Sequence, residues 1–284
     1  MLDRRGFLSL AAGALAAPAG AAAQQPPPKF AHRAASLKMV GDFDVVRVAA
    51  EVRGLQGVEL QIAAGEPNLW DLEAVRRYKR EAYRWGVQLP SLSGVWSRGV
   101  SIRTSPVAGV ELLRAIRAAE LLGSSVILVA FFRDNAPNMD EEAAYGPVVQ
   151  LLQAAAGPAR DAGVILGLEN SLSPADNVRL LDHVAEPNVQ VYYDLDNVEF
   201  YGHTGQAVPG VKLLGRERLC QVHVKNEERL IEEPGRVDWR AAFRALREIG
   251  YDGWYCFESK HSAPEQMRRA TERNIEFIRQ ELGA

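Results

Sequence analysis

The sequence predicts an α/β fold, a closed (β/α)8 barrel of eight parallel strands with a helix following each. Three observations predict it. From Lys29 onward, short apolar runs alternate with longer amphipathic stretches, the pattern of parallel strands joined by crossover helices. Glycines stand just past four helical stretches and just ahead of the next apolar run, at Gly86, Gly123, Gly163 and Gly250, where a helix can end in a left-handed turn. No G-x-G-x-x-G or P-loop string occurs, so the Gly-rich phosphate turn that usually opens a doubly wound sheet is missing.

The elements follow in order. Phe30–Ala34 and Gly57–Ile62 are the first two strands, and Leu69–Trp85 is a helix closed by Gly86. Gln88–Val95 is the third strand. Ser105-Pro106 reads as a cap with proline at the first helical position, opening Val107–Leu122. Ser125–Phe131 and the helix Glu141–Arg160 come next, then Val164–Glu169 with the helix Ala175–Val184, then Val189–Asp194. Leu219–Lys225 precedes the helix Trp239–Ile249, and Trp254–Glu258 precedes Pro264–Leu282, where Ser262-Ala263-Pro264-Glu265 supplies the opening signal.

Composition sets the outer bounds. The 284 residues are 47% hydrophobic and 24% charged, ordinary globular values that set aside disordered, collagen-like and coiled-coil chains. Lys and Arg total 33 against 36 Asp and Glu, a net charge of −3, which gives no electrostatic footprint for duplex DNA or an anionic membrane. Two cysteines, Cys220 and Cys256, are too few for a disulfide framework or a structural zinc cage. Strand alternation turns Cys220 outward and Cys256 inward, so the two are not expected to pair.

Residues 1–23 have the layout of an export signal. Asp3-Arg4-Arg5-Gly6-Phe7-Leu8 precedes an apolar stretch, Leu10 to Ala17, and a small-residue end at Ala21-Ala22-Ala23. The adjacent arginines followed by x-Phe-Leu resemble the twin-arginine signal, which implies export of a folded protein to the periplasm. The apolar stretch is well short of the ~20 residues a membrane span needs. Cleavage leaves a Pro-rich leader, 24–28, and a single barrel domain, 29–284, with no stable membrane insertion.

In such barrels the chemistry sits at the carboxyl ends of the strands. Four consecutive strand candidates end in Glu169, Asp194, His223 and Glu258, separated by 25, 29 and 35 residues, about one βα unit each, so the four side chains can converge above the barrel axis. Two glutamates, an aspartate and an imidazole suit a hard divalent ion. Lys225, two residues after His223, shares its face, and is either a holder of a substrate oxygen or a solvent-side lysine. Trp96 and Arg98 follow the third strand, where they could cover a substrate, and His32 ends the first. His183, His203 and His261 read as surface or helix-end residues.

The strings Gly167-Leu168-Glu169-Asn170, Tyr193-Asp194-Leu195-Asp196-Asn197, Val222-His223-Val224-Lys225-Asn226 and Phe257-Glu258-Ser259 resemble the sugar phosphate isomerase/epimerase superfamily of xylose isomerase-like TIM barrels. Ketose 3-epimerases, hydroxypyruvate isomerases and inosose dehydratases belong to it. Gly57-Val58-Glu59-Leu60 and Gly235-Arg236-Val237-Asp238-Trp239 match as well, and the likeness covers Lys29 to Leu282. The resemblance implies that Glu169, Asp194, His223 and Glu258 hold a divalent ion, Mn²⁺ first, with Mg²⁺, Co²⁺ and Zn²⁺ also compatible. It makes Glu169 and Glu258 the catalytic acid/base pair. It sets Arg229, Asn197 and Glu59, with Lys225, Trp96 and His32, among the substrate-binding candidates. Asn197 stands where ketose 3-epimerases carry a histidine, which favours a substrate other than a free ketohexose.

The expected activity is metal-dependent isomerisation or epimerisation of a sugar or keto-sugar through an enediolate. A metal-dependent lyase or dehydratase acting on keto-sugars or keto-glycosides, a hydroxypyruvate isomerase-like enzyme and a non-catalytic sugar-binding protein are the alternatives. A relative that cuts DNA at abasic sites would need more strand-end histidines and a basic surface. No nucleic-acid partner is expected, and a homo-oligomer is left open.

Overall fold

The computed structural model describes residues 26–261 and 263–284. The expected signal peptide, residues 1–23, lies outside them, as do Gln24, Gln25 and the candidate cap Ser262. The strands are β1 (Lys29–Arg33), β2 (Gly57–Gln61), β3 (Ser91–Ser93), β4 (Val126–Phe131), β5 (Ile165–Asn170), β6 (Val189–Asp194), β7 (Leu219–Val224) and β8 (Trp254–Phe257). They pair in that order, all parallel, and the barrel closes where Lys29 to His32 of β1 align with Trp254 to Phe257 of β8. Around them run α1 (Val45–Ala50), α2 (Leu72–Trp85), α3 (Ala108–Leu122), α4 (Glu142–Asp161), α5 (Pro174–Val184), α6 (Leu195–Phe200), α7 (Ala207–Arg218), α8 (Trp239–Glu248) and α9 (Pro264–Leu282). No helix among the described residues is long and apolar enough to cross a membrane.

Period-two alternation divides the core into two layers. Outward residues such as Phe30, Val58, Ile127, Leu166, Val222 and Phe257 pack against Leu112, Val148, Leu180 and Phe243 of the helices. Burying each such side chain contributes about 1.5–3 kcal/mol. Inward residues form a smaller apolar plug, Ala31, Val126, Leu128, Tyr192, Trp254 and Cys256, which fills the lower barrel. Toward the carboxyl ends the lining turns polar, and that is where the candidate site lies.

Four details depart from expectation. The third strand shrinks from Gln88–Val95 to Ser91–Ser93, with Gln88 reaching Gly57 only through an isolated bridge, because Pro90 has no N–H for the ladder. Ser105-Pro106 does not cap α3, which begins at Ala108 after Val107 without a side-chain cap. After β6 there are two helices, so the described chain has nine where eight are expected: the Asp194 side chain accepts from the Asn197 N–H and turns the strand directly into α6. Cys220 faces inward, because a bulge in β7 shifts the pairing from Val191↔Leu219 to Tyr192↔Gln221 and brings its sulfur against Gly167 and Tyr192 inside the barrel. Both thiols are free. The helix-ending glycines hold: Gly86 and Gly123 close α2 and α3 with φ of 66° and 79°, a conformation that costs other residues about 1 kcal/mol or more.

Candidate active site and metal centre

Glu169, Asp194, His223 and Glu258 meet at the barrel mouth. One oxygen from each acid and a ring nitrogen of His223 all lie within 4.8 Å of one another. Sheet register produces this: Asp194 pairs with His223 across β6 and β7, and Val224 pairs with Phe257, so Glu258 follows one step above His223. His223 Nδ1 is 3.0 Å from Glu169 Oε1 and 3.8 Å from both Asp194 Oδ2 and Glu258 Oε2. The imidazole therefore turns one nitrogen toward all three acids.

Two cations share the mouth. Lys225 points inward, as strand alternation requires, with Nζ 2.6 Å from Asp194 Oδ2 and 2.9 Å from Glu258 Oε2. It also donates to Asn197 Oδ1 at 3.0 Å, while Asn197 Nδ2 donates to Glu169 Oε1 at 3.1 Å. The solvent-side reading of Lys225 is thereby set aside. Arg33 on β1 pairs with Glu258 through Nη1 and lies 3.5 Å from Glu59 Oε1 through Nε.

The charges of this cluster do not cancel. With His223 neutral, as a ligand imidazole must be, and the four carboxylates ionised, Glu59, Glu169, Asp194 and Glu258 outnumber Arg33 and Lys225 by two negative charges in a site of low exposure. Burial, with Glu169 and Glu258 nearby, pushes the Asp194 carboxyl up to about 7 against the pull of Lys225. Burial also opposes charge on Glu258, yet His223, Lys225 and Arg33 hold it well below the usual carboxylate range. Burial would discharge His223, but Glu169 raises its pKa well above the ordinary value. A dication would supply the missing charge. Three carboxylate oxygens and one imidazole nitrogen suit a hard or borderline ion such as Mn²⁺ or Mg²⁺.

The other expected residues divide by position. Glu59 is fully buried beneath the cluster rather than open to a substrate: its Oε2 accepts from Ser91 at 2.8 Å and Tyr192 at 2.7 Å. Burial raises its pKa, but His223 and Arg33 bring it down to about 2. Trp96 is half-buried and donates its indole N–H to the Ala130 carbonyl at 2.9 Å, while Arg98 is exposed. Arg229 is turned to its own loop, donating to the Pro234 carbonyl at 2.8 Å. In that loop Asn226 bonds the carbonyls of Leu230 and Glu233, and Arg236 bridges to Asp196 and Glu227.

His32 departs from its expected place. It lies on the outer face of β1, against Phe257, with Nε2 3.2 Å from Ser259 Oγ, and alternation gives the inward position to Arg33. Burial drives the His32 pKa down to about 4 from 6.5. The unfolded chain therefore binds a proton between pH 6.5 and 4 that the folded one refuses. This group costs nothing above pH 6.5 and removes about 3 kcal/mol of stability as the pH falls to 4. Denaturant unfolding of His32→Gln is expected to show a flatter pH profile across that window than the unaltered protein.

Arg33, Ser91, Tyr192, Gln221 and Cys256 were not candidates in the sequence. Their signal was parity: each lies an even number of residues from an inward group on its own strand or, for Ser91, faces Glu59 across the sheet.

The family model for xylose isomerase-like TIM barrels matches residues 46–281. A Drosophila melanogaster protein named for hydroxypyruvate isomerase is 33% identical over 93 residues, 32% of this chain and 33% of that one, so the match spans about a third of the curated relative. Among solved structures, the xylose isomerase domain protein from Planctomyces limnophilus superposes with a TM-score of 0.73 at 17% identity, covering 91% of this chain and 99% of the other. The D-allulose 3-epimerase from Methylomonas sp., crystallised with D-allulose, gives 0.71 at 19%, covering 90% and 98%. At such identities the likeness is one of fold. The family match itself runs from the first helix into the last, over a closed barrel with strands in the expected order, and the chain belongs to the xylose isomerase-like TIM barrel family.

Proposed function

We propose that this protein is a divalent-metal-dependent isomerase or epimerase of a small sugar or keto-sugar, with Mn²⁺ as the leading ion. The observation that carries this reading is the joint convergence of Glu169, Asp194, His223 and Glu258 within 4.8 Å. The activities for which the relatives are named, hydroxypyruvate isomerase and D-allulose 3-epimerase, support it.

A dication held by these four would polarise a substrate carbonyl and its neighbouring hydroxyl, making the C–H beside the carbonyl acidic enough to lose. Glu169 and Glu258 come from β5 and β8, on different sides of the mouth, and flank the space above His223. One carboxylate takes the proton and the other returns one. Return to the opposite face of the same carbon is epimerisation; return to the adjacent carbon, with a proton moved between the oxygens, is aldose–ketose isomerisation. Lys225 and Arg33 hold Glu258 ionised and in place. The Asn197 amide, fixed between Lys225 and Glu169, offers no ionisable group to the substrate. That observation favours a second reading, a lyase or dehydratase in which the same proton abstraction is followed by loss of a β-substituent.

The Arg4-Arg5 signal supports export to the periplasm, and the net charge of −3 supports a free small molecule, not a nucleic acid, as partner. Proton NMR in D₂O, with Mn²⁺ and a panel of ketoses, keto-acids and keto-glycosides, tests the reading. A substrate is expected to exchange one carbon-bound hydrogen for deuterium. A new epimer or aldose identifies isomerisation, and an unsaturated product or a released aglycone identifies the lyase. Absence of exchange across the panel would leave only a binding protein.

A further inference from the structure

We infer that Glu59 is a positioning residue of the metal centre: from beneath the cluster it holds the proton of His223 on Nε2, so that Nδ1 keeps its lone pair for the ion. This rests on the metal-site reading above. His223 turns Nδ1 toward Glu169, Asp194 and Glu258, and its Nε2 lies 3.6 Å from Glu59 Oε1. Both groups are fully buried, and neither Nε2 nor Oε1 makes a hydrogen bond.

The polarity of the surrounding network fixes what Glu59 is. Gln221 Nε2 donates to the Ser91 hydroxyl at 2.8 Å and to the Tyr192 hydroxyl at 2.6 Å. Each hydroxyl, with its acceptor role taken up by the amide, gives its own hydrogen to Glu59 Oε2, at 2.8 and 2.7 Å. Every donor in the chain points one way and ends on Glu59, with Arg33 at its other oxygen. A proton on Oε2 would put a donor against the two hydroxyl donors, and the Arg33 guanidinium stands beside Oε1, so Glu59 is held as an anion. The anion facing Nε2 then favours the N–H there. An imidazole whose second nitrogen donates to a carboxylate is held in one tautomer and one ring orientation and becomes a more basic ligand, and loss of such a partner typically lowers metal affinity about 10- to 100-fold. Cys256 is the other group that clusters with Glu59 and His223. A neutral thiol is a weak acceptor beside a carboxylate.

The experiment is a Mn²⁺ titration followed by EPR, with thermal unfolding of each metal-free variant alongside. Glu59→Gln is expected to bind Mn²⁺ about 10- to 100-fold more weakly. Tyr192→Phe is expected to lose less, and Cys256→Ser to bind as the unaltered protein does. In ring-¹⁵N-histidine protein loaded with diamagnetic Mg²⁺, His223 is expected to show a protonated Nε2 and an unprotonated Nδ1. That measurement needs no variant and decides the matter if Glu59→Gln does not fold. Unaltered Mn²⁺ affinity in folded Glu59→Gln, a proton on Nδ1 of the loaded protein, or a second Cd²⁺ equivalent with a thiolate charge-transfer band would each overturn the inference. If the unaltered protein binds no Mn²⁺, the failure belongs to the metal-site reading instead.

Discussion

At saturating Mn²⁺, Glu258→Gln and Glu169→Gln are each expected to lower kcat at least ~10²-fold, the low end of what a positioned acid or base supplies. The amide keeps the shape and one oxygen of the carboxyl but cannot carry a proton between carbon and solvent. For Glu258 the change also leaves Arg33 and Lys225 with one fewer anion, so Mn²⁺ must be titrated in each variant and kcat read only where the site is full. If one glutamate removes the proton and the other returns it, the two variants separate in a further way. The one lacking the base loses deuterium exchange along with turnover, whereas the one lacking the returning acid keeps exchange and loses product. Near-normal turnover in either would take that residue out of proton transfer.

Asp194→Asn is expected to weaken Mn²⁺ binding at least ~10²-fold, the upper end of what the partners of ligands cost when removed. The substitution is nearly isosteric and retains an oxygen to cap α6 at the Asn197 N–H. What it removes is charge. Burial already pushes the Asp194 carboxyl up to about 7, so metal-free Asp194→Asn is expected to unfold no more easily than the unaltered protein. With the ion at 100 times the dissociation constant, the unaltered protein should gain about 2.7 kcal/mol of stability; an affinity 10²-fold weaker leaves about 0.4 kcal/mol at the same concentration. Loss of the Mn²⁺-induced shift in unfolding without loss of the fold is the expected pattern. Equal shifts in both proteins would mean that Asp194 is no ligand.

The barrel was legible because its signals are local. Apolar runs, helix-ending glycines and the spacing of strand-end acids are properties of short segments, and they brought Glu169, Asp194, His223 and Glu258 to one place without any knowledge of packing. What escaped depends on register. His32 was chosen for its imidazole, although alternation makes Arg33 the inward residue of that strand end. Glu59 was placed with the substrate through the family resemblance, yet it lies mid-strand and fully buried on the Nε2 side of His223, bonded to Ser91 and Tyr192. Cys220 was turned outward by simple parity, which a single bulge reversed. Arg229 lies in a loop organised by Asn226 and Pro234, a conformation that strand periodicity does not encode.

One divalent ion shared by residues of β5, β6, β7 and β8 is tested most directly by diffraction from Mn²⁺-soaked crystals at the manganese absorption edge. One anomalous peak is expected at the barrel mouth, about 2.0–2.3 Å from an oxygen of Glu169, Asp194 and Glu258 and from Nδ1 of His223, distances usual for such ligands, with the Lys225 ammonium displaced from between Asp194 and Glu258. A fully soaked crystal with no peak there, or with a peak bound elsewhere while Lys225 stays between those carboxylates, would contradict it.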